Sequence, residues 1–287
     1  MPEGNASLTA ADRLRLRFWG VRGSIPTPEA GFLGVGGNTA CVEVDAGGAS
    51  TVVLDAGTGI RGLGHRLAWG GPEGRSDVHL FLSHFHWDHI QGLPFFGPLY
   101  GEAFRVTIYG LGDEAALADV LRGQMRAPYY PVPFEQLPAE IRLVGLTPGA
   151  AVTVGPLTVR PFPVRHTQPT LGFRVEAHGA AAVYATDHEH GDPILDAGLV
   201  AAAAGADLLV CDAQYTPEEY VVRRGWGHTT WRHAAGFAAE AGAARLALFH
   251  HDPTHDDDDL ARILDDARTV FPATTLATEG LEVVLGE

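Results

Sequence analysis

The stretch that decides the fold occupies positions 84 to 89 and reads His84-Phe85-His86-Trp87-Asp88-His89. It follows the apolar run at residues 78–82, which predicts a buried strand. In an extended backbone alternate side chains lie on the same side, so His84 and His86 can bind one metal ion. A turn directly after them can direct Asp88 and His89 toward a second ion. The stretch therefore predicts a metal site at the end of a strand.

Polar residues also follow four other predicted strands. The runs at residues 51–54, 181–185, 208–211 and 245–249 lead, in this order, to Asp55, Asp187, Asp212 and His250. Buried strands that lie side by side bring such ends to one edge of a sheet, where α/β folds bind ligands. We therefore expect one shared active site.

The remaining hydrophobic patterns predict an α/β chain. Further strands are expected at residues 13–19, 41–44, 105–109, 157–159, 172–175 and 281–285, and helices at residues 113–124, 193–204 (capped by Asp192), 230–241 and 257–270. Early strands cluster and later strands alternate with helices, which favours mixed sheets with helices on the outer faces. No linker divides the chain, so we expect a polar tail at residues 1–12 and a single domain at residues 13–287.

Composition excludes several classes of protein. All 20 basic residues are arginine, so chemistry that needs a lysine ammonium, such as Walker A nucleotide binding or Schiff-base catalysis, is excluded. A net charge of −15 repels polyanions, which argues against a duplex nucleic-acid partner. Two cysteines and the absence of a signal-like or membrane-length apolar run predict a cytoplasmic protein without a membrane partner. Whether the chain forms a homo-oligomer stays open.

Three stretches that look functional have better structural explanations. The G-x-G-x-x-G run at residues 57–62, with Asp77 twenty residues beyond Gly57, resembles a dinucleotide site, but Asp77 precedes the second strand instead of closing it. We therefore expect a tight turn beneath the metal site, with Asp55 as an anchor. The acidic run at residues 256–259 suits a helix N-terminus. The proline-rich and aromatic residues 126–138 predict a packed loop, and a place near the substrate stays open.

The chain resembles the metallo-β-lactamase superfamily of hydrolases, whose HxHxDH motif stands at residues 84–89. Further matching segments are FWGVRGSIPTP at residues 18–28, GGNTACVEV at 36–44, LDAGTGI at 54–60, and TDHEH, GWGHTTW and LFHHDP toward the C-terminus. The set is most similar to the phosphodiesterase branch, near tRNase Z and cyclic phosphodiesterases. The resemblance implies an αββα sandwich of two mixed β-sheets flanked by helices.

The resemblance also implies a dinuclear metal site. Its ligands would be His84, His86 and His166 for one ion, Asp88, His89 and His250 for the other, and Asp187 between them. His251 competes with His250, but neighbours on a strand face opposite sides, and the family pattern favours His250. Nitrogen and oxygen ligands suit two divalent ions, zinc or manganese, with iron possible.

The implied catalytic residues are Asp88, Asp212 and His228. His228, oriented by Asp212, would protonate the leaving group, and Asp88 would also position a hydroxide held between the metals. This predicts a phosphodiesterase for a small phosphodiester, of the 3′,5′-cyclic-nucleotide or related cyclic-phosphate type. The basic residues of the segment 101–149 are too scattered to form a stripe that grips tRNA.

Other functions remain as alternatives. A tRNA 3′-processing endonuclease shares the motif, as do thioesterases and lactonases of the glyoxalase II type, although these do not need the pair of Asp212 and His228. A non-enzymatic nucleotide sensor would have lost a ligand, and all seven are present. Substrate contacts are unknown; aromatic candidates are Trp87, Tyr215 and Trp226.

Overall fold

Two seven-stranded β-sheets lie face to face in the computed structural model, which describes residues 13–69 and 76–286. The predicted tail at residues 1–12 lies outside the described residues. The first sheet has the strand order β14-β1-β2-β3-β4-β5-β6 and the second β13-β12-β11-β10-β9-β8-β7. Within each sheet one half is parallel: β3 to β6 in the first and β10 to β13 in the second. The expected mixed sheets are thus confirmed.

The strands of the first sheet are β1 (Leu14–Gly20), β2 (Cys41–Asp45), β3 (Ser50–Leu54), β4 (Asp77–Phe81), β5 (Arg105–Leu111), β6 (Glu140–Leu146) and β14 (Glu282–Leu285). Those of the second are β7 (Val152–Val154), β8 (Leu157–Val164), β9 (Thr170–Ala177), β10 (Ala180–Ala185), β11 (Leu208–Asp212), β12 (Leu246–Phe249) and β13 (Thr274–Leu276). The helices are α1 (Ile60–Trp69), α2 (Trp87–Ile90), α3 (Glu114–Gln124), α4 (Pro193–Ala203), α5 (Pro217–Arg223), α6 (Trp231–Ala241) and α7 (Asp257–Val270).

The main core lies between the sheets. Phe81 of β4 meets Phe173 of β9 edge to face, with ring centroids 5.8 Å apart. On β3, Val52 and Leu54 belong to this core, whereas Val53 points to a second core under α1 and α3. This alternation is the period of two that a strand imposes, and it produces the expected αββα layering.

Helix starts carry side-chain caps, among them the predicted cap Asp192. The side chains of Asp113, Asp192 and Thr230 accept backbone N–H bonds at the starts of α3, α4 and α6. Asp256 and Asp259 form a reciprocal capping box at the start of α7, which confirms the structural explanation of the acidic run.

The glycine run after β3 serves close packing. A Cβ at Gly57 would lie 2.3 Å from the carbonyl oxygen of Asp88, and one at Gly59 would lie 2.5 Å from the backbone of Trp19. Only glycine lets these backbones approach so closely. The turn therefore brings α1 and the metal-motif loop together, as expected.

The loop at residues 126–138 is packed. Phe134 and Leu137 are buried in the core under α3, and the Tyr130 hydroxyl donates to the carbonyl oxygen of Pro94, 2.6 Å away.

Within residues 13–69 and 76–286, no helix has the length and apolar character needed to cross a bilayer.

Candidate metal centre

The strand ends converge at one edge of the two sheets. Three of the residues there leave their strands with positive φ: Asp55 after β3 at 62°, Asp187 after β10 at 54° and His250 after β12 at 60°. This left-handed conformation is uncommon for residues with a side chain and concentrates at functional sites. It turns each side chain out of the strand and toward the space between the sheets.

One half of the site is a histidine cluster around one oxygen of Asp187. The Nε2 atoms of His84 and His166 lie 3.7 and 3.5 Å from Asp187 Oδ1. His86 Nδ1 lies 3.0 Å from His166 Nε2. These four residues place ligand atoms close enough to share a metal ion.

The other half surrounds the second oxygen of Asp187. The Nε2 atoms of His89 and His250 lie 3.1 and 3.4 Å from Asp187 Oδ2. Asp88 Oδ2 lies 3.1 Å from His250 Nε2 and accepts the backbone N–H of Ser24 at 2.7 Å. The two oxygens of one carboxylate thus face the two halves, as a bridging residue requires.

The donor atoms fit a cation because one buried nitrogen has no other partner and two others face each other. His84 Nε2 is buried without a hydrogen-bond partner. His89 and His250 each direct Nδ1 at an acceptor, Asp55 Oδ2 at 2.8 Å and Gln214 Oε1 at 3.0 Å. When both rings are neutral, their Nε2 atoms carry lone pairs, yet these atoms lie 3.2 Å apart. Two facing lone pairs repel unless a cation binds both, so the buried nitrogens suit a metal.

The pKa shifts of two histidines at the site also favour metal binding. Burial lowers the pKa of His84, together with the charge of His89, which keeps His84 in the neutral form that binds metal. His89 is buried too, but the carboxylates of Asp187, Asp88 and Asp55 outweigh burial and raise its pKa. A field that stabilises an imidazolium also attracts a metal cation.

Asp55 holds the metal motif in place. It accepts the backbone N–H and the hydroxyl of Ser83 at 2.7 and 2.8 Å, the Nδ1–H of His89 and the hydroxyl of Tyr184. Such partners fix the orientation of ligand rings. Its position after β3 suggested an anchor, whereas nothing in the sequence pointed to Tyr184.

His228 and Asp212 form a pair next to the histidine clusters. His228 Nδ1 lies 2.8 Å from Asp212 Oδ2, and Asp212 Oδ1 accepts the backbone N–H groups of Gln214 and Thr229 at 3.1 Å. Burial alone would lower the pKa of His228, but the charge and hydrogen bond of Asp212 raise it to about 9. At neutral pH the pair can therefore donate a proton.

Two functional contributors were missed by the sequence reasoning. Glu189, in the TDHEH segment, accepts the backbone N–H groups of Gly225 and Gly227 at 2.6 and 2.9 Å. The carbonyl oxygen of Gly227 lies 2.8 Å from His166 Nδ1, so Glu189 shapes the loop that orients His166. The backbone of Ser24 holds Asp88, a contact for which the sequence carries no signal.

The remaining histidines lie outside the cluster. His251 points away from the site, with Nε2 2.9 Å from the carbonyl oxygen of Ala277. His188 is buried between the backbone of Arg165 and Asp196. His190 bonds Thr229 Oγ1 and stacks on His233.

A cavity of about 560 Å³ opens beside the cluster. It is lined by His228 together with two of the three aromatic candidates, Tyr215 and Trp226. The indole of Trp226 is 61% exposed, while Tyr215 is buried. Trp87 is also exposed but does not line this cavity.

The fold and the cluster together define a class of protein: an αββα sandwich with a histidine- and aspartate-rich metal-binding edge. The profile of the beta-lactamase superfamily domain matches residues 50–251. The chain therefore belongs to this superfamily, which confirms the resemblance seen in the sequence.

Particular relatives narrow the comparison. Ribonuclease Z of Bradyrhizobium sp. (strain ORS 278) is 28% identical over an alignment of 316 positions, which covers 92% of this chain and 97% of that protein. The metallo-beta-lactamase fold protein YhfI from Bacillus subtilis superposes with a TM-score of 0.73 at 20% identity, covering 96% and 100% of the two chains. A diphosphatase from the PhnP family gives a TM-score of 0.69 at 20% identity, with coverage of 95% and 97%. The two structural matches show the shared fold.

Proposed function

We propose that this protein is a metal-dependent phosphodiesterase that hydrolyses a small phosphodiester, with cyclic nucleotides and cyclic phosphates as the first candidates. The observation that carries the proposal is the adjacency of two donor clusters to the hydrogen-bonded pair of His228 and Asp212. The clusters supply sites for divalent cations, and the pair supplies a proton donor. Metal-assisted hydrolysis of a phosphodiester can use both.

Two divalent ions would be held by the residues described above. His84, His86 and His166 would hold one, Asp88, His89 and His250 the other, and Asp187 would bind both. When bound, such ions lower the pKa of water and offset negative charge on phosphoryl oxygens. Zinc and manganese suit this set of nitrogen and oxygen donors, and iron is compatible with it.

The protein's own groups would carry the proton transfers. Asp88 Oδ2, fixed by the Ser24 N–H, would orient the attacking water. His228 would donate its proton to the departing alkoxide oxygen, and Asp212 would stabilise the imidazolium before transfer. A thioesterase releases a thiolate that needs little protonation, so the pair favours the phosphodiesterase over that alternative.

The charge and the fold of the chain favour a small substrate. The segment 101–149 forms β5, α3, the packed loop at residues 126–138 and β6, so it packs onto the first sheet rather than projecting as an arm. With a net charge of −15, the chain has little to attract a long polyanion.

Processing of tRNA is the second candidate. It is favoured by the similarity to proteins named ribonuclease Z, which extends over nearly the whole of both chains. Both candidates use the same site, so they differ in the substrate that reaches it.

The test compares substrates after metal loading. Metal-free protein is reloaded separately with Mn²⁺ and Zn²⁺ and assayed on bis(p-nitrophenyl) phosphate, cyclic AMP, cyclic GMP, 2′,3′-cyclic phosphates, a precursor tRNA with a 3′ trailer, and S-lactoylglutathione. We expect kcat/KM to be highest on a small phosphodiester. A kcat/KM for precursor tRNA well above the cyclic nucleotides would replace the proposal with tRNA processing, and thioester cleavage alone would remove both.

A further inference from the structure

The cavity beside His228 has features that the hydrolytic chemistry does not use. Arg223, near the end of α5, lines it together with Trp226, and the hydroxyl-bearing residues Ser24, Thr167 and Thr254 lie around them. Because His228 also lines the cavity, a group held there would be attached to the oxygen that His228 protonates. The cavity therefore corresponds to the leaving-group side of a substrate.

Arg223 is held in one orientation. Its Nη1 donates to Asp252 Oδ2 at 3.1 Å, and its guanidinium carbon lies 5.0 Å from the ring centroid of Tyr215. Asp252 is itself fixed, since its Oδ1 accepts the backbone N–H and the hydroxyl of Thr254 at 2.9 and 2.6 Å. A planar guanidinium fixed in this way presents its remaining N–H groups as a rigid fork.

The charges around Arg223 select against an anionic ligand. Asp252 lies 3.1 Å and Glu219 4.0 Å from Arg223 Nη1, so two carboxylates balance the guanidinium. A second phosphate would meet those carboxylates. A neutral group with hydrogen-bond acceptors can bind the guanidinium without being repelled by those carboxylates.

We propose that this cavity binds a nucleoside as the leaving group, with the base stacked on Trp226 and an acceptor edge of the base facing Arg223. An exposed indole is a platform that every base can stack on. The guanidinium fork matches paired acceptors such as O6 and N7 of guanine. The volume of about 560 Å³ lies within the range of small-molecule sites. The inference rests on the proposed phosphodiesterase function and specifies its substrate as a nucleoside ester.

The test measures binding rather than turnover. Guanosine has no phosphodiester, so it can be titrated into the metal-loaded protein by calorimetry without reaction. We expect Trp226→Ala to raise the Kd for guanosine about tenfold, the order expected for losing one stacked base. Arg223→Gln should also weaken binding, and Arg223→Lys, which keeps the charge but loses the fork, should resemble Arg223→Gln.

A matched control is available in Trp87→Ala. Trp87 is 63% exposed against 61% for Trp226, but it does not line the cavity, so the Kd for guanosine should stay within twofold. Thermal melting of each variant checks that it is folded. A Kd unaffected by Trp226→Ala, or raised equally by Trp87→Ala, overturns the subsite.

The outcomes separate this inference from the function on which it rests. Hydrolysis of bis(p-nitrophenyl) phosphate without Trp226-dependent guanosine binding would retain the phosphodiesterase and remove the subsite. Trp226-dependent binding without hydrolysis under any metal would retain the nucleoside site and remove the enzymatic function.

Discussion

At the scale of single residues, the lone pairs of the histidines decide what the site can bind. Where a histidine ring contacts a protein acceptor, one ring nitrogen faces that acceptor and the other points into the cluster. His166 uses the carbonyl oxygen of Gly227 for this, and His89 uses Asp55. Because the tautomers are set from outside, the inward nitrogens are free to bind cations.

The first prediction concerns His250 and its neighbour. His250→Ala should lower the metal content from about two ions per chain to about one, because Nε2 of His250 faces Asp88 and Asp187. His251→Ala is the matched control; its ring bonds Ala277 instead, so metal content should not change. Elemental analysis of dialysed protein provides the measurement, and equal loss in both variants would contradict the ligand assignment.

The second prediction concerns His228. His228→Ala should lower kcat by roughly 10²–10⁴ on an unactivated ester, because the general acid is lost, while metal content is retained. The loss should be smaller on bis(p-nitrophenyl) phosphate, whose leaving group scarcely needs a proton. Asp212→Asn should give the same pattern. An equal loss on both substrates would indicate that His228 binds phosphate or metal instead.

At the scale of secondary-structure elements, the loops between elements carry the candidate site residues. The loop between α5 and α6 supplies both Gly227, which orients His166, and His228. One buried carboxylate, Glu189, fixes this loop through the backbone N–H groups of Gly225 and Gly227. Glu189, on the loop after β10, thus connects the proposed metal ligand His166 to the proposed proton donor His228.

The third prediction follows from this connection. Glu189→Ala should weaken metal affinity by about 10–100-fold, the usual range for losing a group that orients a ligand. It should also lower activity on activated and unactivated esters alike, since His166 and His228 are displaced together. Glu189→Gln keeps one acceptor oxygen, so its metal affinity should lie between that of Glu189→Ala and that of the unaltered protein. Metal titration with thermal melting distinguishes the effect from general loss of stability; an unchanged metal Kd in Glu189→Ala would refute the positioning role.

The fourth prediction concerns the contact between the loop after β10 and α6. Burial and the neighbouring His233 lower the pKa of His190 to about 4, and the ring is also faced by Tyr220, Thr229, Asp196, Glu189 and His188. The unfolded chain takes up a proton near the ordinary histidine pKa of about 6.5, before the folded chain does. The titration of His190 therefore lowers the free energy of unfolding as the pH falls from about 6.5 toward 4.

The measurement for this prediction is the melting temperature between pH 7 and pH 5. His190→Gln removes the titrating group, so its melting temperature should fall less steeply than that of the unaltered protein. Parallel slopes would show that His190 does not titrate differently in the folded state.

At the scale of the whole molecule, buried polar groups join distant parts of the chain. Arg22 is completely buried and donates to the carbonyl oxygens of Gly36, His255 and Phe32 at 2.7, 2.7 and 3.2 Å. It thereby fixes the loop after β1 to the segment that precedes α7. The same arginine stands in the FWGVRGSIPTP segment, where the sequence alone gave it no role.

The fifth prediction tests this connection. Arg22→Met should lower the free energy of unfolding by about 3 kcal/mol or more, because several buried carbonyl groups lose their donor. Arg22→Lys should also destabilise the protein, since an ammonium cannot reproduce the planar fork. Denaturant unfolding gives both values, with Arg160→Lys on an exposed stretch of β8 as the control. A loss below 1 kcal/mol in Arg22→Met would show that water replaces the guanidinium.

Several elements were predictable because the signal is local. The helix Asp257–Val270 has the predicted bounds, since its capping residues and apolar spacing lie within a few turns. The strands β6, β7 and β13 were not predicted. Glu140–Leu146 is a half-exposed edge strand without clear alternation, and β7 and β13 have three residues each. Short or exposed strands form because a neighbouring strand offers hydrogen bonds, which a sequence pattern does not display.

The sequence by itself determined the fold class, the family and the candidate ligands, because these depend on residue type and on spacing along the chain. Only the tertiary structure decided how the candidates are oriented. It directs the two oxygens of Asp187 at different histidine clusters, turns His251 away, and brings Glu189 under a loop some forty residues farther along. Hydrogen-bond partners and burial depend on contacts between residues distant in sequence, and these exist only once the two sheets have packed.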